Sequence, residues 1–250
     1  MASTDVGIGP RESVNILGVP VDAVTMEQTL ASIDSYVVGG GQHLIVTADA
    51  NGILLARSDA DFLAIIKEAA LVTPDGAGVV WAAKRSGVVL PDRVSGVDIV
   101  DRVCALSADK GYRVFFLGAA AGVAELAAEK LRLKHPGCNI VGTRHGYFPA
   151  ESDEIVAREI AESRPDILFV GFGMPRQEKF IRAYQSTIGA KVAVGIGGSF
   201  DVFSGKTKRA PRFFQRIRLE WFWRLILNPS KIAKVKKLPL FVFLVLRKGR

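Results

Sequence analysis

Short apolar runs alternate with longer amphipathic stretches over most of the chain. His43–Thr47, Arg113–Leu117, Ile167–Val170 and Val192–Gly195 are strand-like runs, most of them closed by a glycine, a proline or a polar residue. Runs this short and this apolar predict strands buried on both faces, as in a parallel sheet. Between them, Ile53–Ala69, Ala121–Lys134 and Asp153–Ser163 space their apolar residues at helical intervals. Ser152 precedes Asp153 and Glu154 and offers an N-cap with acidic first-turn residues. Strands alternating with helices predict an α/β fold, a mainly parallel sheet flanked by helices.

In open sheets of this kind, ligands occupy the crevice beyond the carboxyl ends of the strands. The residues that follow each predicted strand are therefore the first candidates. They are Thr47 and Asp49, then Asp75, then Gly118, then Gly173 through Gln177, then Ser199 and Asp201.

Each motif carries a functional and a plainer reading. Leu117–Gly122 opens a helix after a strand but lacks the GxGxxG spacing, and tight strand–helix packing explains it better than a dinucleotide site. In Gly171–Glu178, a strand ends in glycines, Pro175 stops it and Gln177-Glu178 begin a helix. Amides at that helix start suit an anion and the carboxamide suits a sugar hydroxyl; a proline-capped helix with an acidic first turn is the equal alternative. Asp75 in Thr73-Pro-Asp-Gly76 is either a turn former or a lone carboxylate in a crevice. Gly195–Asp201 is a glycine-dense strand exit, which suits either a tight turn or a close ligand. His43, His135 and His145 are scattered, and Cys104 and Cys138 form no CxxC, so neither a triad hydrolase nor a metal site is expected. Asp59-Ala-Asp61 lies in a helical stretch, where it supplies N-terminal charge rather than a cation site. No metal and no cofactor are expected.

Charge divides the chain unevenly. Residues 206–250 hold 14 Lys and Arg against Glu220 alone, a balance of +13, whereas residues 1–205 hold 19 against 24, a balance of −5. Three segments follow: a flexible N-terminus over 1–13, a core over 14–205 and a basic, aromatic appendage over 206–250. Arg216–Arg224 interleaves cations with Trp221, Phe222 and Trp223, as a helix lying in a bilayer interface does. The apolar run Leu238–Leu246 is too short to span a bilayer and suits partial insertion or docking. An anionic membrane surface is the partner this pattern favours, with a solvated basic face as the plainer reading. No recognised nucleic-acid module accompanies the basic patch, so nucleic acid is not expected. No secretory signal is visible at the N-terminus, which makes the cytosol the expected compartment.

Taken in order, several landmarks resemble the WecG/TagA/CpsF glycosyltransferases, family 26. They are Thr47-Ala-Asp49, Thr73-Pro-Asp75-Gly76, Arg93-Val-Ser-Gly96-Val-Asp98, Phe115-Phe-Leu-Gly118 and Gly146-Tyr147-Phe148. Gly171–Glu178, Gly197-Gly-Ser-Phe-Asp201, Arg209-Ala-Pro211 and Leu219–Arg224 complete the set, so that the resemblance covers about residues 14–235. Any one motif is weak, but this many in one order is specific.

The resemblance implies a Rossmann-like, inverting, metal-independent transferase that moves a sugar from a UDP-sugar to a polyprenyl-diphosphate-linked sugar. N-acetylmannosamine is the default donor sugar and undecaprenyl-diphosphate-GlcNAc the default acceptor, in surface-polysaccharide or cell-wall polymer synthesis. It implies Asp75, Asp49 and Gln177 as the catalytic residues, with Asp75 as general base, and Thr47, Asp49 and Gln177 lining the sugar pocket. Gly118 and Gly173 stand among the substrate-binding turns. Tyr147 matches a residue that stacks on uracil, Asp201 a uridine contact, and Arg93 and Arg224 cations near the diphosphate. Two departures stand out. Asp49 takes a position that is usually Asn, and Lys231 and Lys234 take positions that are usually Arg, keeping charge without the bidentate fork. The resemblance further implies docking on the inner face of the cell membrane through the tail, and homo-oligomers built through the core. A non-catalytic nucleotide-sugar-binding module anchored by that tail is the rival reading, and a Rossmann oxidoreductase a third.

Overall fold

The computed structural model of the chain describes residues 12–208, 210–211, 223 and 237–248. A small antiparallel hairpin, β1 (Ser13–Ile16) and β2 (Val19–Asp22), precedes helix α1 (Met26–Gly39). The chain continues through β3 (His43–Ala48), α2 (Ala50–Ala56), α3 (Ala60–Glu68), β4 (Leu71–Pro74), α4 (Ala77–Arg85) and α5 (Gly96–Lys110). Then come β5 (Val114–Gly118), α6 (Val123–Lys134), β6 (Ile140–Arg144), α7 (Asp153–Glu162), β7 (Ile167–Gly171) and α8 (Arg176–Ile188). Strand β8 (Val192–Gly195), α9 (Ser199–Phe203) and α10 (Leu238–Lys248) complete the described elements.

Six strands form one parallel sheet in the order β4-β3-β8-β7-β5-β6. This is the expected α/β architecture with helices on both faces. Alternation along the strands assigns each side chain to a face. Val114 and Phe116 of β5, Ile167 and Phe169 of β7, and Val192 and Val194 of β8 pack with α1, α5 and α6. Their neighbours Phe115, Leu117, Leu168, Val170 and Ala193 pack with α7 and α8. A third cluster joins Val46, Ala48 and Val72 to the hairpin, α2, α3, α4 and α10. The hairpin is stitched to the sheet edge by Asp22, whose carboxylate accepts the Val72 N–H at 2.7 Å. That bond occupies a donor the edge strand would otherwise expose.

Several expected boundaries move. The stretch Ile53–Ala69 is two helices, not one, because the Asp59 side chain accepts the Phe62 N–H and begins α3 afresh. Asp59 and Asp61 thus supply N-terminal charge, as expected. Ser152 stands at the N-cap position of α7 but makes no side-chain cap bond, since a 3-10 turn over Ala150–Ser152 already leads into the helix. The run Leu238–Leu246 is helical: Phe241 and Val245 are buried against the core, while Leu240, Phe243 and Leu246 are exposed. Cys104 and Cys138 are free, buried thiols. Among the described residues, no helix is long and apolar enough to cross a membrane. Residues 1–11 and most of 206–250 lie outside the described residues.

Candidate active site

The carboxyl ends of β3, β4, β7 and β8 converge on one locus, held by a chain of direct contacts. Thr47, buried on β3, donates its hydroxyl to the Gly195 carbonyl of β8 at 2.8 Å. Two residues on, Asp49 caps α2, and its Oδ1 accepts the Gly52 N–H at 2.7 Å. Asp75 leaves β4 with its N–H on the Ala48 carbonyl, 2.9 Å away, which ties its main chain between Thr47 and Asp49. The Asp75 carboxylate accepts the Gly96 N–H of the first residue of α5 at 3.4 Å. The carboxylate thus meets the positive end of the α5 dipole. The approach at Gly96 is close, since a Cβ there would stand 3.2 Å from the Cα of Ile196.

Gln177 closes the opposite side. It is fully buried, and its Oε1 accepts two backbone N–H groups, from Gly173 and from Gly197, each at 3.0 Å. With Oε1 fixed as the acceptor, Nε2 is left as the donor, and it reaches Glu178 Oε1 at 2.7 Å. One side chain therefore clamps the β7–α8 turn to the exit of β8. Gly195 lies under this clamp, and a Cβ there would come within 2.5 Å of Gln177 Nε2. Burial pushes the Glu178 acid up to about 7, against the pull of the Gln177 bond and with the charge of Asp49 adding to the rise.

One strand further along lies the switch point of the sheet. The connection from β5 leads outward to β6, whereas β7 leads back to β8, so the chain departs in opposite directions at the β5–β7 boundary. Such a switch point is where doubly wound sheets open a ligand crevice. Gly118 and Gly171 face each other there, and a Cβ on Gly118 would stand 2.6 Å from the Gly171 carbonyl oxygen. Gly146 closes on the same place, with its would-be Cβ 2.9 Å from the Gly118 Cα. Gly171 in turn passes Gly197, 2.8 Å from would-be Cβ to carbonyl oxygen. Tyr147, beside Gly146, is 77% exposed. Arg176 lies over the rings of Phe148 and Phe172, at 5.3 and 4.9 Å, and braces the neighbouring loop.

Thr47, Asp49, Asp75, Gly173 and Gln177 thus belong to one connected locus, and Gly118 to the adjoining switch point. Arg93 flanks α5, 3.8 Å from Asp98, whose carboxylate also takes the Ser95 hydroxyl at 2.6 Å. Asp201 is half-buried in the first turn of α9, beside Gly198. Arg224, Lys231 and Lys234 lie outside the described residues. Glu178 is expected only to complement the helix dipole; the structure buries it. The signal was present, since the apolar spacing of Phe180, Ile181 and Ile188 extends back onto Gln177 and Glu178.

Comparison with known proteins gives the same outline. The sequence model of the glycosyl transferase WecG/TagA/CpsF family matches residues 14–250. A Staphylococcus aureus relative, an N-acetylglucosaminyldiphosphoundecaprenol N-acetyl-beta-D-mannosaminyltransferase, is 33% identical over 95% of this chain and 93% of its own. A Bacillus spizizenii protein of the same name is 40% identical over 82% of this chain and 79% of its own.

Proposed function

This chain belongs to the glycosyl transferase WecG/TagA/CpsF family, and from that premise we propose that it moves N-acetylmannosamine from a UDP-linked donor to GlcNAc-diphosphoundecaprenol. The observation that carries the proposal is the joining of Thr47, Asp49, Asp75 and Gln177 at the carboxyl ends of adjacent strands. The names of the two relatives support the choice of donor and acceptor.

In this reading Asp75 is the general base. It takes the proton of the acceptor hydroxyl as that oxygen attacks the anomeric carbon. The new bond joins the acceptor oxygen to C1, the bond from C1 to the UDP phosphate oxygen breaks, and the configuration inverts. The leaving diphosphate carries the developing charge, and Arg93 and Arg224 neutralise it through charge-assisted hydrogen bonds. Uridine occupies the crevice between β5 and β7, with Tyr147 against the base and Asp201 at its edge. What supports that assignment is the switch point of the sheet between β5 and β7, where Gly118 lies. Asp49, an acceptor only, faces the hydroxyls of the sugar. The basic 206–250 segment brings the enzyme to the anionic surface in which the acceptor's diphosphate lies.

The test is a panel of UDP-sugars with vesicle-embedded GlcNAc-diphosphoundecaprenol and EDTA. UDP-N-acetylmannosamine alone should release UDP with acceptor-dependent kinetics. Turnover with a different UDP-sugar alone would transfer the assignment to that donor, and turnover only with a divalent cation would contradict the metal-independent route.

A further inference from the structure

Glu178 is a carboxyl group to which the proposed reaction gives no task. It is the third residue of α8, and its side chain has no exposure to solvent. Its Oε1 accepts from Gln177 Nε2, and its Oε2 is enclosed with no hydrogen-bond partner among the described residues. From β8 the backbone of Gly195 approaches, with a would-be Cβ 2.8 Å from Oε1. Burial most strongly and, from α2, the charge of Asp49 oppose the charged form, whereas on its own helix the Gln177 carboxamide and the Glu178 backbone N–H favour it. An ionised carboxylate with an orphan buried oxygen, close to a second carboxylate, is penalised twice. The neutral acid removes the charge, although its Oε2 hydroxyl still lacks a partner among the described residues, and it leaves Oε1 as the acceptor that Gln177 requires.

We propose that Glu178 is a positioning residue that works as the neutral acid, and that losing its proton sets a second negative charge beside Asp49 and weakens binding of the donor sugar. The inference rests on the donor-sugar reading of the Asp49–Gln177 pocket. Burial raises the acid to about 7, so the proton is lost across neutral pH. The donor KM therefore rises with pH as that proton is lost.

Infrared titration of the full chain, from about pH 5 to about pH 9, reads the proton directly. The expected result is a protonated-carboxyl carbonyl band that disappears near neutrality and is missing from Glu178→Gln. In Asp49→Asn the same band should disappear at lower pH, because the neighbouring charge is gone. Should Glu178→Gln fail to fold, that shift in Asp49→Asn decides the matter. No such band at the acid end, or a band unchanged in Glu178→Gln, overturns the proposal. In turnover, the wild-type donor KM should rise about tenfold across the range, and that of Glu178→Gln should stay flat. Parallel profiles in the two proteins overturn the proposal as well. Absence of turnover at every pH would count against the reaction itself and leave the infrared result to decide Glu178.

Discussion

At the residue scale the site is built from groups whose ordinary partners have been taken by the backbone. Gln177 uses its oxygen on two glycine amides, and Thr47 uses its hydroxyl on a strand carbonyl. Neither is visible as a motif, because Thr47 meets the backbone of Gly195 from a distant strand, and the Gln177 oxygen joins the nearby Gly173 to Gly197 beyond β8. What could be read was the position of Asp49, Asp75 and Gln177 just after predicted strands. Glu178 has a consequence for stability as well as binding. Its folded value of about 7 lies above its ordinary 4.5, so the native state holds the proton that the unfolded chain releases. Stability from this group is therefore full below about pH 4.5 and falls as pH rises to about 7, by about 3 kcal/mol in all. Urea unfolding of Glu178→Gln across that window should show a flatter pH dependence than the wild type by about that amount. Equal slopes would mean that Glu178 ionises freely in the folded state.

At the element scale the strands were the most legible part, since uninterrupted apolar runs such as Ile167–Val170 leave a buried strand as the simplest reading. Other elements were hidden for separate reasons. The break between α2 and α3 depends on one side-chain cap at Asp59, inside an apolar rhythm that continues across it. The β1–β2 hairpin carries Pro20 and Asp22, which read as turn residues, yet Asp22 uses its carboxylate to hold the edge of β4. Helix α10 reads from sequence as a single apolar run, and only packing separates its two faces. Phe241 is completely buried against the core that contains α2 and α4, whereas Phe243 is 59% exposed. Phe241→Ala should then cost about 3 to 5 kcal/mol in urea unfolding, and Phe243→Ala less than about 0.5 kcal/mol. Similar losses in both variants would show that α10 does not rest on the core through that face.

At the scale of the whole molecule, charge divides between a mildly acidic core, where we place the chemistry, and a basic C-terminal segment, to which we assign attachment. The parallel sheet brings four strand ends together and fixes the pocket; the charge of residues 206–250 proposes where that pocket works. Each cation near an anionic surface contributes on the order of 1 kcal/mol, screened by salt. Flotation with phosphatidylglycerol vesicles should carry the full chain at low salt and release it as ionic strength rises, while neutral vesicles leave it behind. Equal binding to neutral vesicles would assign attachment to the apolar side chains instead. The central claim concerns Asp75 at the end of β4, whose main-chain N–H is tied to the Ala48 carbonyl and whose carboxylate accepts the Gly96 amide. Asp75→Asn keeps an oxygen for that amide and removes the base, so the fold should survive it. The most direct measurement is UDP release from UDP-N-acetylmannosamine with GlcNAc-diphosphoundecaprenol, comparing wild type with Asp75→Asn at matched thermal stability. A loss of about 10²- to 10⁴-fold in kcat is the predicted result, and a variant that turns over at the wild-type rate would contradict the role of Asp75.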